Sequence, residues 1–321
     1  MDPFILNRDA ILQHKRLTFV GEEFVPIEKH LDSIENYINV CFVDEGIEVI
    51  QHGRVVALRS TDRNRLSSAF KAALYLGKYD DMDNKKRFLT KMMASSHSYE
   101  PIRGESILFL YIGVGKPVYD HLITHSVGRY TRIAGGQRAN LPWGYEVPTE
   151  ARNKQYFVDL NLPRIEEVIQ TTKGLNEDTE REQIQAMRSS LPVGYIMPPY
   201  LLEFSEESLV HLFEKRIFEK GAQGATVDIV DDMWRCCISI DSEKWQYVYD
   251  YHGPHVKGWS QAMRKLRDKD YSVGELMDIG MEAGVLDIQV DGEYSLNDIK
   301  LYDLIMNTVG KPPKSMWEKT V

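Results

Sequence analysis

The chain has 321 residues, 43% hydrophobic and 27% charged, with 39 Lys and Arg against 48 Asp and Glu and a formal net charge of -9. That length holds one large domain with extensions, or two domains, and the composition is that of a globular chain with a real core. The acidic balance argues against extended nucleic acid as a partner but leaves room for a small phosphate pocket; no apolar run approaches the roughly 20 residues of a membrane helix, and the mixed charges of MDPFILNRDA are unlike a signal peptide, so a soluble, cytoplasmic protein with no membrane partner is expected.

In chain order, HLDSIENYINVCFVDEG predicts a helix that then becomes extended. IEVIQHGRVVALRS alternates apolar and polar residues about QHGR, the pattern of a hairpin. RNRLSSAFKAALYLGK and DNKKRFLTKMMASS predict amphipathic helices, the first closing near Gly77. ESILFLYIGV predicts a buried strand, and KPVYDHLITHS a helix with Pro117 in its first turn. LPWGYEVP reads as a loop by its Pro and Gly. NEDTEREQIQAMRSS predicts a helix that stops at LPVGYIMPPY, and Ser205 a cap for the helix EESLVHLFEKRIFEK, which ends near Gly221. GATVDIVDDMWRCCISI suits a strand by its β-branched residues and a helix by its place in the chain. Cys41, Cys236 and Cys237 are odd in number and lack a CxxC spacing, which argues against a disulfide framework or a thiolate zinc site, and Cys236 and Cys237, in the apolar segment DDMWRCCISI, are expected to pack the core. From about residue 256, SQAMRKLRDK, SVGELMDIGMEAGVL and SLNDIKLYDLIMNTV predict a helical extension. The whole is α+β, with more helix than strand.

Several basic residues carry candidate chemistry. On the helix SLVHLFEKRIF, Leu209, Leu212, Phe213 and Ile217 share an apolar stripe, and Arg216 falls near its middle. An arginine there needs an anion or a carboxylate. It could aim at a ligand phosphate or a base edge, form an internal ion pair, or reach out to the rim. Arg188 ends the preceding helix, where a basic residue also suits the helix dipole. His121 and His125 stand four apart on one helical face; without a third ligand no metal is expected, and the pair would pack the core edge or meet a bound ring. The stretch HLITHSVGRYTRIAGGQRANLPWGY contains Arg129, Arg132 and Arg138 but no Asp or Glu. Gly135 and Gly136 would let backbone N–H groups approach an anion, which arginine also grips in bidentate fashion. A solvated cationic loop is the alternative.

The order of these segments resembles the flavin-dependent thymidylate synthase family over roughly residues 50 to 250. AMRSSLPVGYIMPPY is similar to the family's Ala-Arg-x-x-Leu-Pro-x-x-x-Tyr segment. SLVHLFEKRIFEKGAQGATVDIVDDMW is similar to its Leu-x-His-Phe-Leu-x-Leu-Arg helix, followed by Ala-Gln and a final helix. SSHSYEP, with His97, stands where the family has HxTPFEH. The resemblance implies a thymidylate synthase-like fold, an antiparallel or mixed sheet flanked by long helices. It divides the chain into an N-terminal extension (1–48), a core (49–255) and a helical C-terminal extension (256–321). It implies FAD, with NADPH and methylenetetrahydrofolate as co-substrates, one-carbon transfer to C5 of a pyrimidine deoxynucleotide such as dUMP (methylation or hydroxymethylation), and a homotetramer. Arg188 and Arg216 would act on the nucleotide in catalysis and hold it with Arg138, Gln137 and His121. His125, Ser126, Arg129, Arg132, His211, Gln223 and His97 would line the flavin.

The signature is altered. Thr124 and Ser126 replace the arginines of the family's Arg-His-Arg, Arg132 stands near its Glu, Ala139 replaces its final Tyr, and Ala225 and Val227 replace a later Glu and Arg. Arg129 and Arg132 restore positive charge a few residues on. A divergent transferase is therefore expected. The alternatives are a non-catalytic homologue that binds a nucleotide or partner, and a structural protein without ligand.

Overall fold

Six consecutive buried residues, Ser106–Tyr111, form the strand around which the chain is built. The computed structural model describes residues 1–88, 100–124, 128–134, 141–176, 178–218 and 224–253, together with 278, 281, 286–288 and 294–296. In chain order the elements begin with α1 (Asp9–Leu12), β1 (Leu17–Phe19), α2 (Ile27–Ile38), β2 (Ile50–His52), β3 (Val55–Ser60), α3 (Leu66–Leu76), α4 (Lys85–Phe88) and α5 (Glu100–Arg103). They continue with β4 (Ser106–Tyr111), α6 (Lys116–Ile123), β5 (Arg129–Ile133), β6 (Gly144–Glu146), α7 (Lys154–Lys173), α8 (Arg181–Arg188), β7 (Tyr195–Ile196) and β8 (Tyr200–Ser205). Last come α9 (Glu206–Phe213), α10 (Gly224–Ile240), α11 (Ser242–His252), β9 (Leu286–Ile288) and β10 (Tyr294–Leu296). Two compact units divide the chain, Met1–Trp245 and Gln246–Val321.

In the first unit a five-stranded sheet runs β2-β3-β4-β8-β5, and a three-stranded sheet runs β1-β6-β7. Every pairing is antiparallel. With helices on the sheets, the fold is α+β. Both faces of β4 are covered, which explains a continuous apolar run where a half-exposed strand would alternate. Successive side chains point to opposite faces. Val56, Leu58, Leu108 and Leu110 join a core with Leu6, Ile11, Leu31, Trp143, Ile165 and Ile169. The intervening Val55 and Tyr111 meet α10 instead, where Tyr111 Oη donates to Met233 Sδ at 3.3 Å and Cys236 Sγ donates to Val55 O at 3.8 Å. Residues 1–48 thus feed the same core as the central sheet.

The segment 224–240, open between strand and helix in the sequence, is helix α10. Its buried residues Ala225, Thr226, Ile229, Val230, Met233, Cys236 and Cys237 recur at helical spacing, and that face overrides β-branched propensity. Both cysteines are buried, as expected. Burial pushes Cys236 up to about 12, so it is an inert thiol.

Four expectations need correction. HLDSIENYINVCFVDEG does not become extended: α2 runs on into a wide π turn, Asn39–Val43. The Asn39 side chain holds that continuation, accepting from Phe4 N–H at 2.7 Å and donating to Phe4 O at 2.9 Å. LPWGYEVP is not all loop, because Gly144–Glu146 is a buried strand paired on both sides; its prolines flank the strand, where no ladder N–H is lost. Residues 152–173, to which the sequence assigns nothing, carry the 20-residue helix α7. Its Asn153 cap accepts from Tyr156 N–H at 3.2 Å, and the internal Pro163 hides the helical pattern. In the second unit, β9 and β10 form an antiparallel pair within the stretch read as helical. Asp291-Gly292 lies between them in the sequence, a hairpin signal.

Candidate functional site

The site begins with a buried ionic clamp at the turn from β4 into α6. Gly113 adopts φ +69°, a conformation suited to glycine. Arg54 Nη1 donates to Gly113 O at 2.9 Å and to Glu146 Oε1 at 2.9 Å. Glu146 Oε2 accepts the Gly115 N–H at 2.8 Å. Arg54 is 1% exposed and Glu146 5%, so each charge depends on the other for compensation. Arg16, also buried, reaches Glu146 at 4.0 Å and pairs with Asp228. Three distant segments, the β2–β3 hairpin, β6 and the chain before β1, therefore fix the start of α6.

The far end of α6 gathers polar side chains. Lys116 pairs with Asp120 along the helix. Tyr119 is buried edge-on against Tyr200, with ring centroids 5.0 Å apart. The Arg132 guanidinium lies 5.3 Å from the Tyr119 ring centroid, and its Nε donates to Tyr119 Oη. Nδ1 of His121 is 2.7 Å from Thr226 Oγ1 of α10. Burial and the positive charge of Arg216 lower the His121 pKa, opposed by Asp120. Burial and Asp120 raise the pKa of Tyr195, while Arg188 opposes them. Asp120 thus acts electrostatically on both Tyr195 and His121, Arg216 of the segment after α9 on His121, and Arg188 of α8 on Tyr195.

Arg129 and Arg132 lie on β5, an edge of the large sheet, with a bulge between Arg129 and Thr131 that re-aims the strand. Arg129 donates to Ile123 O at the end of α6. Among the described residues neither arginine forms an ion pair with a carboxylate. The nearby Glu203 carboxylate accepts from Ser106 Oγ at 2.7 Å, Thr131 Oγ1 at 2.9 Å and Arg59 Nη2 at 3.1 Å. Those bonds hold its pKa below the usual carboxylate value despite desolvation.

Arg216 is half-buried, not buried in the middle of an apolar stripe. The chain leaves the α geometry at Glu214 and makes a π turn, Glu214–Phe218. That turn breaks the 100° phasing, so Phe218 goes inward and Arg216 stays at the rim. His211 is exposed on α9; Glu214, 3.5 Å from its Nδ1, raises its pKa, with Glu207 adding to the effect. His97, His125, Ser126, Gln137, Arg138 and Gln223 lie outside the described residues. Sequence reasoning missed Arg54, Glu146, Asp120, Tyr195 and Thr226. Of these, Glu146 carried a partial signal, a lone charge between the apolar Tyr145 and Val147, while Arg54 in the β2–β3 turn carried none. Thr226 carried none, since a threonine on an apolar helix face is ordinary.

No family model matches this sequence, and no curated protein matches it. Solved structures similar to it include the UMP/dUMP methylase PolB from Streptomyces cacaoi bound with 5-Br dUMP, at 14% identity and a TM-score of 0.49 over 64% of this chain and 96% of that chain. The same methylase bound with 5-Br UMP gives 12% identity and a TM-score of 0.46 over the same shares of the two chains.

Proposed function

We propose that this protein binds a pyrimidine deoxynucleotide at the last turn of α6 and transfers one carbon to C5 of its base, as a divergent member of the flavin-dependent thymidylate synthase family. What supports this reading is a shared electrostatic neighbourhood: Arg216 acts on His121, Arg188 acts on Tyr195, and Asp120 acts on both. Two arginines from separate helices suit a phosphate and a polar base edge, which the guanidinium fork grips. In this reading Arg188 and Arg216 orient the nucleotide, Arg138 and Gln137 complete its phosphate contacts, and His121 meets the base. Holding the base in place, rather than nucleophilic attack by the protein, is what these residues contribute.

FAD fits the described residues in one respect: Arg129 and Arg132 are neighbouring cations on one edge strand, without a carboxylate partner among those residues, and such a pair suits a pyrophosphate. Flavin, when bound, supplies a hydride to the product base, with NADPH as reductant and methylenetetrahydrofolate as carbon donor. His211, His125, Ser126, Gln223 and His97 belong to the same proposed pocket. A homo-oligomer, a tetramer by family resemblance, accords with an apolar face of α3 on which Leu66, Phe70 and Leu74 are 46%, 47% and 44% exposed. A second reading, a nucleotide-binding homologue without chemistry, is favoured by Thr124. Where the family has an arginine, its Oγ1 donates to His121 O at 2.6 Å and closes the helix.

The test is release of tritium from 5-labelled dUMP and dCMP by the full chain supplied with FAD, NADPH and methylenetetrahydrofolate. Release from either nucleotide supports the transferase. Nucleotide binding without release supports the second reading, and absence of both binding and release overturns the proposal.

A further inference from the structure

The starts of α3, α9 and α11 meet at one buried lysine. Lys244, in the first turn of α11, donates to Glu206 Oε1 at 2.9 Å, Glu206 Oε2 at 2.8 Å and Asp62 Oδ2 at 3.2 Å, which matches the three N–H bonds of an ammonium. Glu206 opens α9, and Asp62 holds the start of α3 by accepting from Ser67 N–H at 3.1 Å and Ser68 N–H at 3.4 Å. The side chains of Lys244, Asp62 and Glu206 are 2%, 0% and 2% exposed.

One ammonium therefore faces two carboxylates away from water. The charges on the surrounding elements are matched among the described residues: Lys71 with Glu105, Arg65 with Asp241, Arg103 with Glu207 and Arg59 with Glu203. Cys237 of α10, pushed up by burial, is a neutral thiol. With all three groups ionised the junction would hold an excess buried negative charge, which is costly, and a proton on one carboxylate removes it. The two N–H bonds from α3 favour the ionised form of Asp62, so the proton belongs on Glu206. Burial raises Glu206 to about 7, opposed by Lys244 and aided by Asp62 and Glu105. Burial lowers the pKa of Lys244, but Glu206 and Asp62 more than restore it, so the ammonium stays charged.

We propose that the Lys244–Glu206–Asp62 junction is a pH-sensitive latch: with Glu206 protonated it fastens the starts of α3, α9 and α11 together, and loss of that proton as the pH rises loosens them. This device acts whether or not a nucleotide binds at α6. The folded chain holds the proton more tightly than the unfolded chain, in which a glutamate keeps its ordinary value of 4.5. The stability it contributes is complete below about pH 4.5 and is lost as the pH climbs through about 7.

Amide hydrogen exchange of the full chain between about pH 5.5 and 8, corrected for intrinsic rates, tests the latch together with carbon-13 NMR of the Glu206 carboxyl group. The amides to follow are those of Ser67, Glu206 and Ser208, each hydrogen-bonded at a helix start. In the wild type the carboxyl group should titrate near pH 7, and protection of these amides should fall at least about tenfold across the range. Glu206→Gln, of the same shape and with no proton to lose, should keep protection constant within about threefold. Asp62→Asn retains an acceptor for α3 and leaves one carboxylate per ammonium, so the Glu206 midpoint should drop by about one pH unit or more. A wild-type midpoint below about pH 5, constant protection in the wild type, an equal fall in Glu206→Gln, or a midpoint that Asp62→Asn leaves unmoved would overturn the latch.

Discussion

Replacing Glu146 with alanine should unfasten the turn that starts α6. The carboxylate accepts from Arg54 at 2.9 Å and from Gly115 N–H at 2.8 Å, and Arg16 lies 4.0 Å away. Its loss leaves the Arg54 guanidinium, whose Nη2 already has no partner among the described residues, as an uncompensated buried charge. Breaking such a pair from one side costs about 3–5 kcal/mol. In a unit of this size that lowers the melting temperature by roughly 10 °C. Arg54→Met should cost less, because Glu146 keeps Gly115 and Arg16. The double variant Arg54→Met/Glu146→Ala should be less destabilised than the sum of the two, since it strands neither charge. Urea unfolding of all four proteins, followed by circular dichroism, measures the cycle. A loss below about 1 kcal/mol for Glu146→Ala, or strict additivity in the double variant, would refute the clamp.

Further predictions concern the hairpin that delivers Arg54. Gly53 has φ +50°, and a Cβ there would meet Asp232 Oδ2 at 2.3 Å, so Gly53→Ala should destabilise by about 2 kcal/mol in thermal unfolding. Asp232 is raised by burial from 3.8 to about 6, opposed by its bond from the Arg54 N–H. The folded chain then holds that proton more tightly than the unfolded one. The associated stability is complete below about pH 4 and is lost as the pH climbs through about 6. Asp232→Asn keeps an acceptor and removes the titration, so across that interval its stability should fall less than that of the wild type, by on the order of 2 kcal/mol. Parallel pH profiles for the two proteins would contradict this.

Elements with a local signature were legible in the sequence. The apolar run of β4, the hairpin about Gly53 and the Ser205 cap, whose hydroxyl accepts from Ser208 N–H at 3.1 Å, needed only nearest neighbours to specify them. What escaped depended on distant partners. Strand β6 is short and proline-flanked, and it exists because β1 and β7 pair with it on either side. The helix α7 was hidden by Pro163, which its length tolerates. The π turn after α9 is invisible to a fixed 100° period, and it moved Arg216 from the stripe to the rim. In the site, the cationic character of Arg129 and Arg132 was legible from the missing acids around them. The clamp of Arg54 and Glu146 joins residues 92 positions apart, and that of His121 and Thr226 residues 105 apart, which no local pattern encodes.

The central claim is that Arg188 and Arg216 serve a single anionic nucleotide. Isothermal titration of dUMP into the wild type, Arg188→Ala and Arg216→Ala at low and high salt tests it most directly. The account predicts saturable wild-type binding that weakens with salt, reduced about tenfold or more by each substitution. No binding by the wild type, or equal affinity in all three proteins, would contradict it.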